Sequence, residues 1–185
     1  MAGETIAVFT KNRTNPAYEA ARLGAERTAR RNEARILHFV PGKPDDIEEQ
    51  IALVEQAIAA RPDAVVFVPV HLTALNGSVR KLNAAGIPVV NYINRLTEGR
   101  FVSFVGSDDY RLARDIAAYL LRHLGGKGDV VMMAGVPGAV TSQDRVRGFL
   151  DAVREYPDVR IVTTLTGDYQ QDTARREMAE WLGGS

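Results

Sequence analysis

Short runs of β-branched and apolar residues alternate with longer amphipathic runs along the whole sequence, and this alternation restricts the fold more than any other feature. The first run, "TIAVF", predicts a strand over about residues 5–10. Pro16 then opens a helix to about Arg31, at the turn where its missing N–H costs no hydrogen bond. "ARILHFV" predicts a second strand. Ile47, Ile51, Val54 and Ile58 then fall on one helical face, while Asp45, Asp46, Glu48 and Glu49 crowd the N-terminal turn, where the helix dipole favours anions. "DAVVFVPV", "IPVVNYI" and "FVSFVG" are almost continuously apolar, as strands covered on both faces are. A helix over 73–85 separates the first two. A helix from Asp108 carries Leu112, Ile116, Tyr119, Leu120 and Leu124 on one side and stops at "GGKG". "DVVMMAG", a helix over 141–156, "VRIVTTLTG" and a helix near 172–182 follow. Strands and helices in this order predict an α/β fold of mainly parallel sheets flanked by helices.

In such sheets ligands gather at the carboxyl ends of the strands, where loops and helix N-termini converge. The loops predicted there read "TKNRTNPAY", "PVHLTA", "NYINRLTEG", "GSDDY", "AGVPGAVTSQDR" and "TGDYQQD". Amides, hydroxyls, carboxylates, Arg and Tyr dominate them. Planar polar groups can bridge neighbouring hydroxyls, and an aromatic face can cover the C–H face of a sugar ring, so the set suits a neutral polyhydroxyl ligand. The 23 basic and 23 acidic residues cancel without a block of like charge, which argues against a nucleic-acid partner or a membrane-surface patch. With no Cys, thiol nucleophiles and thiolate metal sites are excluded. His38, His71 and His123 are too scattered to predict a metal site, and there is neither a nucleophile elbow nor a phosphate loop. "GGKGD" precedes a strand, where a dinucleotide fingerprint would follow one. Asp108 and Asp109 sit at a helix start and read as capping residues. No catalytic residue, cofactor or metal is predicted, and the chain is read as a binding protein and not an enzyme.

Five phrases, in this order, resemble the periplasmic sugar-binding proteins of type I, the ribose- and galactose-binding group, whose ligand domain is shared with lactose-repressor-like regulators. "NPAY" is similar to the family's Asn-Pro-aromatic-aromatic segment, and "AGIPVVNYINR" to its fourth-strand phrase, which ends in a ligand-binding Asn or Asp followed by a base. "VGSDDY" resembles the first interlobe crossing, "GVPGAVTSQDRVRGF" the G-x-x-G then R-x-x-G-F phrase, and "GDYQQDTARREM" a segment whose aromatic precedes Met by nine residues, as Tyr169 precedes Met178. The resemblance implies a type I periplasmic-binding-protein-like fold. It makes Asn15 a hydroxyl-binding amide and Tyr18 a stacking ring, although a core position for Tyr18 is an equal reading. It adds Asn94 and Arg95 from the same lobe and Arg145 and Tyr169 from the other, all facing one cleft.

Three departures narrow the transfer. Ala17 replaces the first aromatic of the pair, Val68 stands where ribose binders have Asn, and Gln143 takes the place of a second ligand Arg. Family members also continue through further strand-helix units, so residues 1–104 are read as the N-terminal α/β lobe and 107–185 as a partial, incomplete second lobe. Uncovered edges in a truncated lobe predict a homodimer. The expected function is solute binding for an ABC-type import system, with a monosaccharide or polyol as ligand, a membrane permease as partner and a periplasmic location. The alternative is the ligand-sensing domain of a lactose-repressor-like transcriptional regulator, which would be cytoplasmic. The start "MAGETIAVF" lacks the pattern of a leader, and no apolar run approaches the ~18 residues that span a bilayer.

Overall fold

A computed structural model of the chain describes residues 3–184; Met1, Ala2 and Ser185 lie outside the described residues. The chain divides between Gly106 and Ser107 into two compact units. The first holds β1 (Thr5–Phe9), α1 (Pro16–Arg31), β2 (Arg35–Phe39), α2 (Ile47–Ala60), β3 (Ala64–Phe67), α3 (Asn76–Ala84), β4 (Val89–Tyr92) and β5 (Ser103–Val105). Its five strands form one parallel sheet in the order β2-β1-β3-β4-β5. Because every pairing is parallel, all five carboxyl ends lie on one edge, and the loops after β1, β3 and β4 stand side by side there.

The two-residue period of the strands divides their side chains between two layers. Ala7, Phe9, Val65, Phe67 and Val89 turn to one face and pack with Val54 and Ala57 of α2 and Val79 and Leu82 of α3. Phe9 stacks on Phe39 at 5.0 Å between ring centroids and meets Phe67 edge-on at 5.1 Å. Ile6, Val8, Val66, Val90 and Tyr92 turn to the other face. There the small residues Ala20, Ala21 and Gly24 of α1 leave an open depression of about 740 Å³. Helix α3 starts at Asn76, three residues later than the sequence suggests. The intervening turn is held by His71, whose Nδ1 accepts from the N–H groups of Thr73 and Ala74, both at 3.3 Å.

The second unit comprises α4 (Asp109–His123), β6 (Lys127–Ala134), α5 (Val140–Val153), β7 (Asp158–Thr166) and α6 (Gln171–Gly183), with β6 and β7 parallel. Helices α4 and α5 approach closely because Gly148 lets the backbone of α5 rest on the Tyr110 carbonyl. The core is small: Ala117, Leu121, Val130, Ala152 and Val159, with Phe149 and Tyr156 packed against it. The apolar face of α4 read from the sequence is not part of it. Ile116 and Tyr119 are 69% and 68% exposed, and Leu112, Leu120 and Leu124 are exposed as well. "GGKG" ends α4 as expected, with Gly125 and Gly126 left-handed, but its last two residues already belong to β6. Among the described residues no helix is long and apolar enough to cross a membrane.

Candidate functional site

The loop after β1 is built around buried polar residues. Lys11, 1% exposed, pairs its Nζ with Asp45 Oδ1 at 2.7 Å. Asn12, also buried, donates from Nδ2 to Asp45 Oδ2 at 2.8 Å and accepts at Oδ1 from the Asn15 N–H at 2.9 Å. Arg22 of α1 reaches back to donate to Thr10 Oγ1 at 2.9 Å and to the Asn12 carbonyl at 3.0 Å, while Glu19 takes its Nε and Nη2. A loop that would otherwise carry unpaired backbone groups is thereby fixed from three directions. Asn15 caps α1, its Oδ1 accepting from the Ala17 N–H at 2.9 Å. Tyr18, one turn on, is 8% exposed, yet it does not belong to the apolar cluster around Phe9 and Phe67.

The loop after β4 stands two strands away on the same edge. Asn94 is 2% exposed. Its Nδ2 donates to the Pro69 carbonyl at 2.9 Å, and its own carbonyl accepts from Asn91 Nδ2 at 2.8 Å. Its Oδ1 is buried with no hydrogen-bond partner among the described residues. An amide held this way offers one acceptor in one direction, and leaving that acceptor unpaired is costly. Asn91 organises the turn: Nδ2 also donates to the Phe67 carbonyl at 3.2 Å, and Oδ1 accepts from the Leu96 N–H at 3.0 Å. Gln50, fully buried on α2, donates to the Val68 carbonyl and accepts from the Val70 N–H, each at 2.9 Å, and so fixes the Pro69 carbonyl on which Asn94 leans. Arg95 is exposed, with its guanidinium carbon 4.3 Å from the Phe104 ring centroid. Val68 is fully buried and keeps its side chain in the interior.

In the second unit, Arg145 and Tyr169 come together. The Arg145 guanidinium carbon lies 5.7 Å from the Tyr169 ring centroid. Asp109, 6% exposed, takes both Nε and Nη2 of Arg145 on Oδ1, at 2.7 and 2.6 Å. Burial opposes the charge on Arg145, but the hydrogen bond to Asp109 and the neighbouring Tyr169 and Asp109 outweigh it and hold the pKa above the usual arginine value. Asp168 and Tyr169 are both left-handed, at φ 49° and 56°, in a turn closed by the Gln170 N–H on the Gly167 carbonyl at 2.8 Å. This turn lays the Tyr169 ring flat against Gly135, where any Cβ would intrude on the ring. The ring hydroxyl is buried with no hydrogen-bond partner among the described residues. Both residues line a depression of about 520 Å³ with Gly135, Ser142 and the apolar side of α4. Gln143, which stands in place of a second arginine, is turned to the Pro137 carbonyl at 3.0 Å.

Four of the six residues singled out in the sequence thus lie in the first unit and two in the second. The sequence reading of Asp108 as a cap agrees with its acceptance of the Arg111 N–H at 2.9 Å. It missed Asp109 as the partner of Arg145, and it grouped Asp45 with the helix-capping acids when Asp45 turns to Lys11 instead. Asn91 and Gln50 were missed too. Their only signal in sequence is a polar residue inside an apolar pattern. Among the described residues no group of three or more His, Asp or Glu side chains is arranged to hold a metal ion.

A sequence profile described as the periplasmic binding protein domain matches residues 6–185. The ribose import binding protein of Bacillus subtilis is 26% identical over 180 residues, which is 97% of this chain and 58% of that protein. The D-ribose/D-allose-binding protein of Pseudomonas aeruginosa is 31% identical over 173 residues, 89% of this chain and 54% of its own length. Among solved structures, an ABC transporter periplasmic solute binding protein from Actinobacillus succinogenes with bound D-allose superposes with a TM-score of 0.89 at 29% identity, over 98% of this chain and 66% of that one. A carbohydrate transporter solute binding protein from Agrobacterium radiobacter, in complex with D-arabinose, gives 0.89 at 27% identity, over 100% and 64%. The chain therefore spans between about half and two-thirds of the length of these relatives. A profile that matches nearly every residue and relatives that align across both units agree with the parallel α/β architecture: this chain belongs to the periplasmic binding proteins, in the type I fold.

Proposed function

We propose that the chain is a solute-binding protein of an ABC-type sugar import system and that its ligand is a neutral monosaccharide or polyol. The observation that carries this reading is Asn94: a buried amide at the carboxyl edge of the sheet whose nitrogen is tied to the Pro69 carbonyl and whose oxygen, also buried, has no hydrogen-bond partner among the described residues. Such an oxygen takes a hydrogen-bond donor, and a sugar hydroxyl is one that brings no charge. In the first unit Asn15 and Arg95 add donors and Tyr18 a ring face. In the second, Arg145 adds a guanidinium whose charge Asp109 balances, and Tyr169 a ring with a buried hydroxyl. Relatives named as binding ribose, xylitol and apiose support the polyhydroxyl class. The family description and the ABC transporter periplasmic solute binding protein among the solved structures support a periplasmic location and a membrane permease as partner.

Titration calorimetry of D-ribose, D-allose, D-arabinose and xylitol into the chain tests the reading. Binding of at least one of them, weakened in Asn94→Ala, is the expected result. No heat from any of them, with the fold intact, would sink it. A homodimer formed through the exposed apolar surface is the second element of the proposal, and the exposed side of α4 supports it.

A further inference from the structure

The turn after β4 is strained where the chain had cheaper choices. Ile93 has φ 62°, a left-handed conformation that a β-branched residue rarely adopts. The other non-glycine residues with positive φ among the described ones are Glu33, Asp45, Arg61, Asp168 and Tyr169, none of them β-branched. The Asn94 N–H donates to the Tyr92 carbonyl at 2.8 Å, so Ile93 is the central residue of the rare, strained form of γ-turn. Hydrogen bonds on both sides enforce it. The Ile93 N–H donates to the Val105 carbonyl at 2.8 Å, Asn91 Nδ2 holds the Asn94 carbonyl at 2.8 Å, and the Leu96 N–H binds Asn91 Oδ1 at 3.0 Å. Glycine or asparagine would occupy this φ with little or no strain.

We propose that Ile93 is a positioning residue for the ligand-facing amide of Asn94, its strained turn delivering that amide in one orientation before any ligand arrives. The inference rests on the reading of Asn94 as a sugar-binding group. A branched Cβ leaves the backbone few wells, and none close to the left-handed one, so a turn forced into it has no neighbouring state to drift into. Asn94 is then held with Nδ2 on the Pro69 carbonyl and Oδ1 unpaired among the described residues, and binding does not have to order it. Glycine would remove the strain and with it the stiffness.

The test uses Ile93→Gly, Ile93→Asn and Ile93→Val in the 185-residue chain, with D-ribose and D-allose as probes. The Gly and Asn variants are expected to keep or raise the melting temperature while binding on the order of tenfold more weakly. Ile93→Val, which keeps the branch at Cβ, retains most of the affinity. Undiminished affinity in the Gly and Asn variants overturns the proposal. So does a parallel loss of melting temperature and affinity in all three, which would make Ile93 a packing residue. Relaxation of the ¹⁵N-labelled Asn94 side-chain amide supplies the readout that does not depend on a sugar. An amide rigid in the parent chain and mobile in Ile93→Gly supports the proposal, and equal order in both overturns it. If neither sugar binds the parent chain, the sugar reading fails and the relaxation comparison alone decides the role of Ile93.

Discussion

Asn94 shows why an amide and not a carboxylate suits its position. Its nitrogen faces the Pro69 carbonyl, so Asn94→Asp would set a carboxylate oxygen against a carbonyl oxygen in a buried site. Asn94→Ala is expected to weaken sugar binding by roughly 1–3 kcal/mol, since it removes one buried hydrogen-bonding group from the ligand, and to lower the melting temperature as well, since the Pro69 carbonyl loses its donor. Asn94→Asp should cost stability as well as affinity, which chemical denaturation beside calorimetry would reveal. Gly135 makes the corresponding argument in the second unit. Any side chain there collides with the Tyr169 ring, so Gly135→Ala should displace the ring from the Arg145 guanidinium. A changed Tyr169 ring environment in the variant's NMR spectrum, with sugar affinity reduced, is the expected outcome; an unshifted ring would mean that the backbone around Gly135 yields instead.

At the scale of elements, continuous apolar runs and the 3.6-residue period were enough to find every strand and helix in its order, though not the start of α3 or of β6, because burial on one or two faces writes itself directly into the pattern. Helix α1 runs over Pro16–Arg31 as read, since Pro at its start and polar residues at its end mark both limits. What the pattern could not show is which polar residues meet. Lys11 and Asp45 stand 34 positions apart, Arg145 and Asp109 36, and only the folded sheet edge or helix pair brings them together. The apolar side of α4 was legible in the pattern, and its exposure agrees with the uncovered surface expected of an incomplete lobe: amphipathicity tells that a face is apolar, not what covers it. Two predictions belong at this scale. Gly148→Ala would drive a methyl group into the Tyr110 carbonyl and separate α4 from α5, so unit 2 should lose about 1–3 kcal/mol of stability in denaturant unfolding. Asp46 caps α2 through the Glu49 N–H at 3.0 Å, and that hydrogen bond holds its pKa below the usual aspartate value. Its contribution is therefore complete above the unfolded-state pKa near 3.8 and is lost as pH falls through the lower folded value. The melting-temperature gap between the parent and Asp46→Ala should be full at neutral pH and shrink below pH 4; a constant gap would mean that the cap acts through shape alone.

At the scale of the whole molecule, the two units are built to very different depth. The first has five strands and a core that runs from Phe9 and Phe67 to Leu75, Leu82 and Val89; the second has two strands and a core whose buried members are mostly Ala and Val. Apolar area removed from water sets most of the difference in stability, at ~25 cal/mol per Å². Calorimetry should therefore resolve two transitions, with the second unit melting first, and Gly148→Ala should lower only the first of them. The weak unit is also the one that exposes Leu112, Ile116, Tyr119 and Leu120 along one side of α4. Covering that side would add the apolar burial its core lacks, so the proposed self-association would couple to the stability of this unit by mass action. The lower transition should rise with protein concentration while the upper one stays fixed. Replacing Ile116 by Glu and Tyr119 by Lys should abolish both the concentration dependence and any dimer in sedimentation velocity, because both side chains project into solvent and the helix can carry charge there. A parent chain that sediments as a monomer, with a lower transition independent of concentration, would sink the dimer and leave the exposed side of α4 without an occupant in solution.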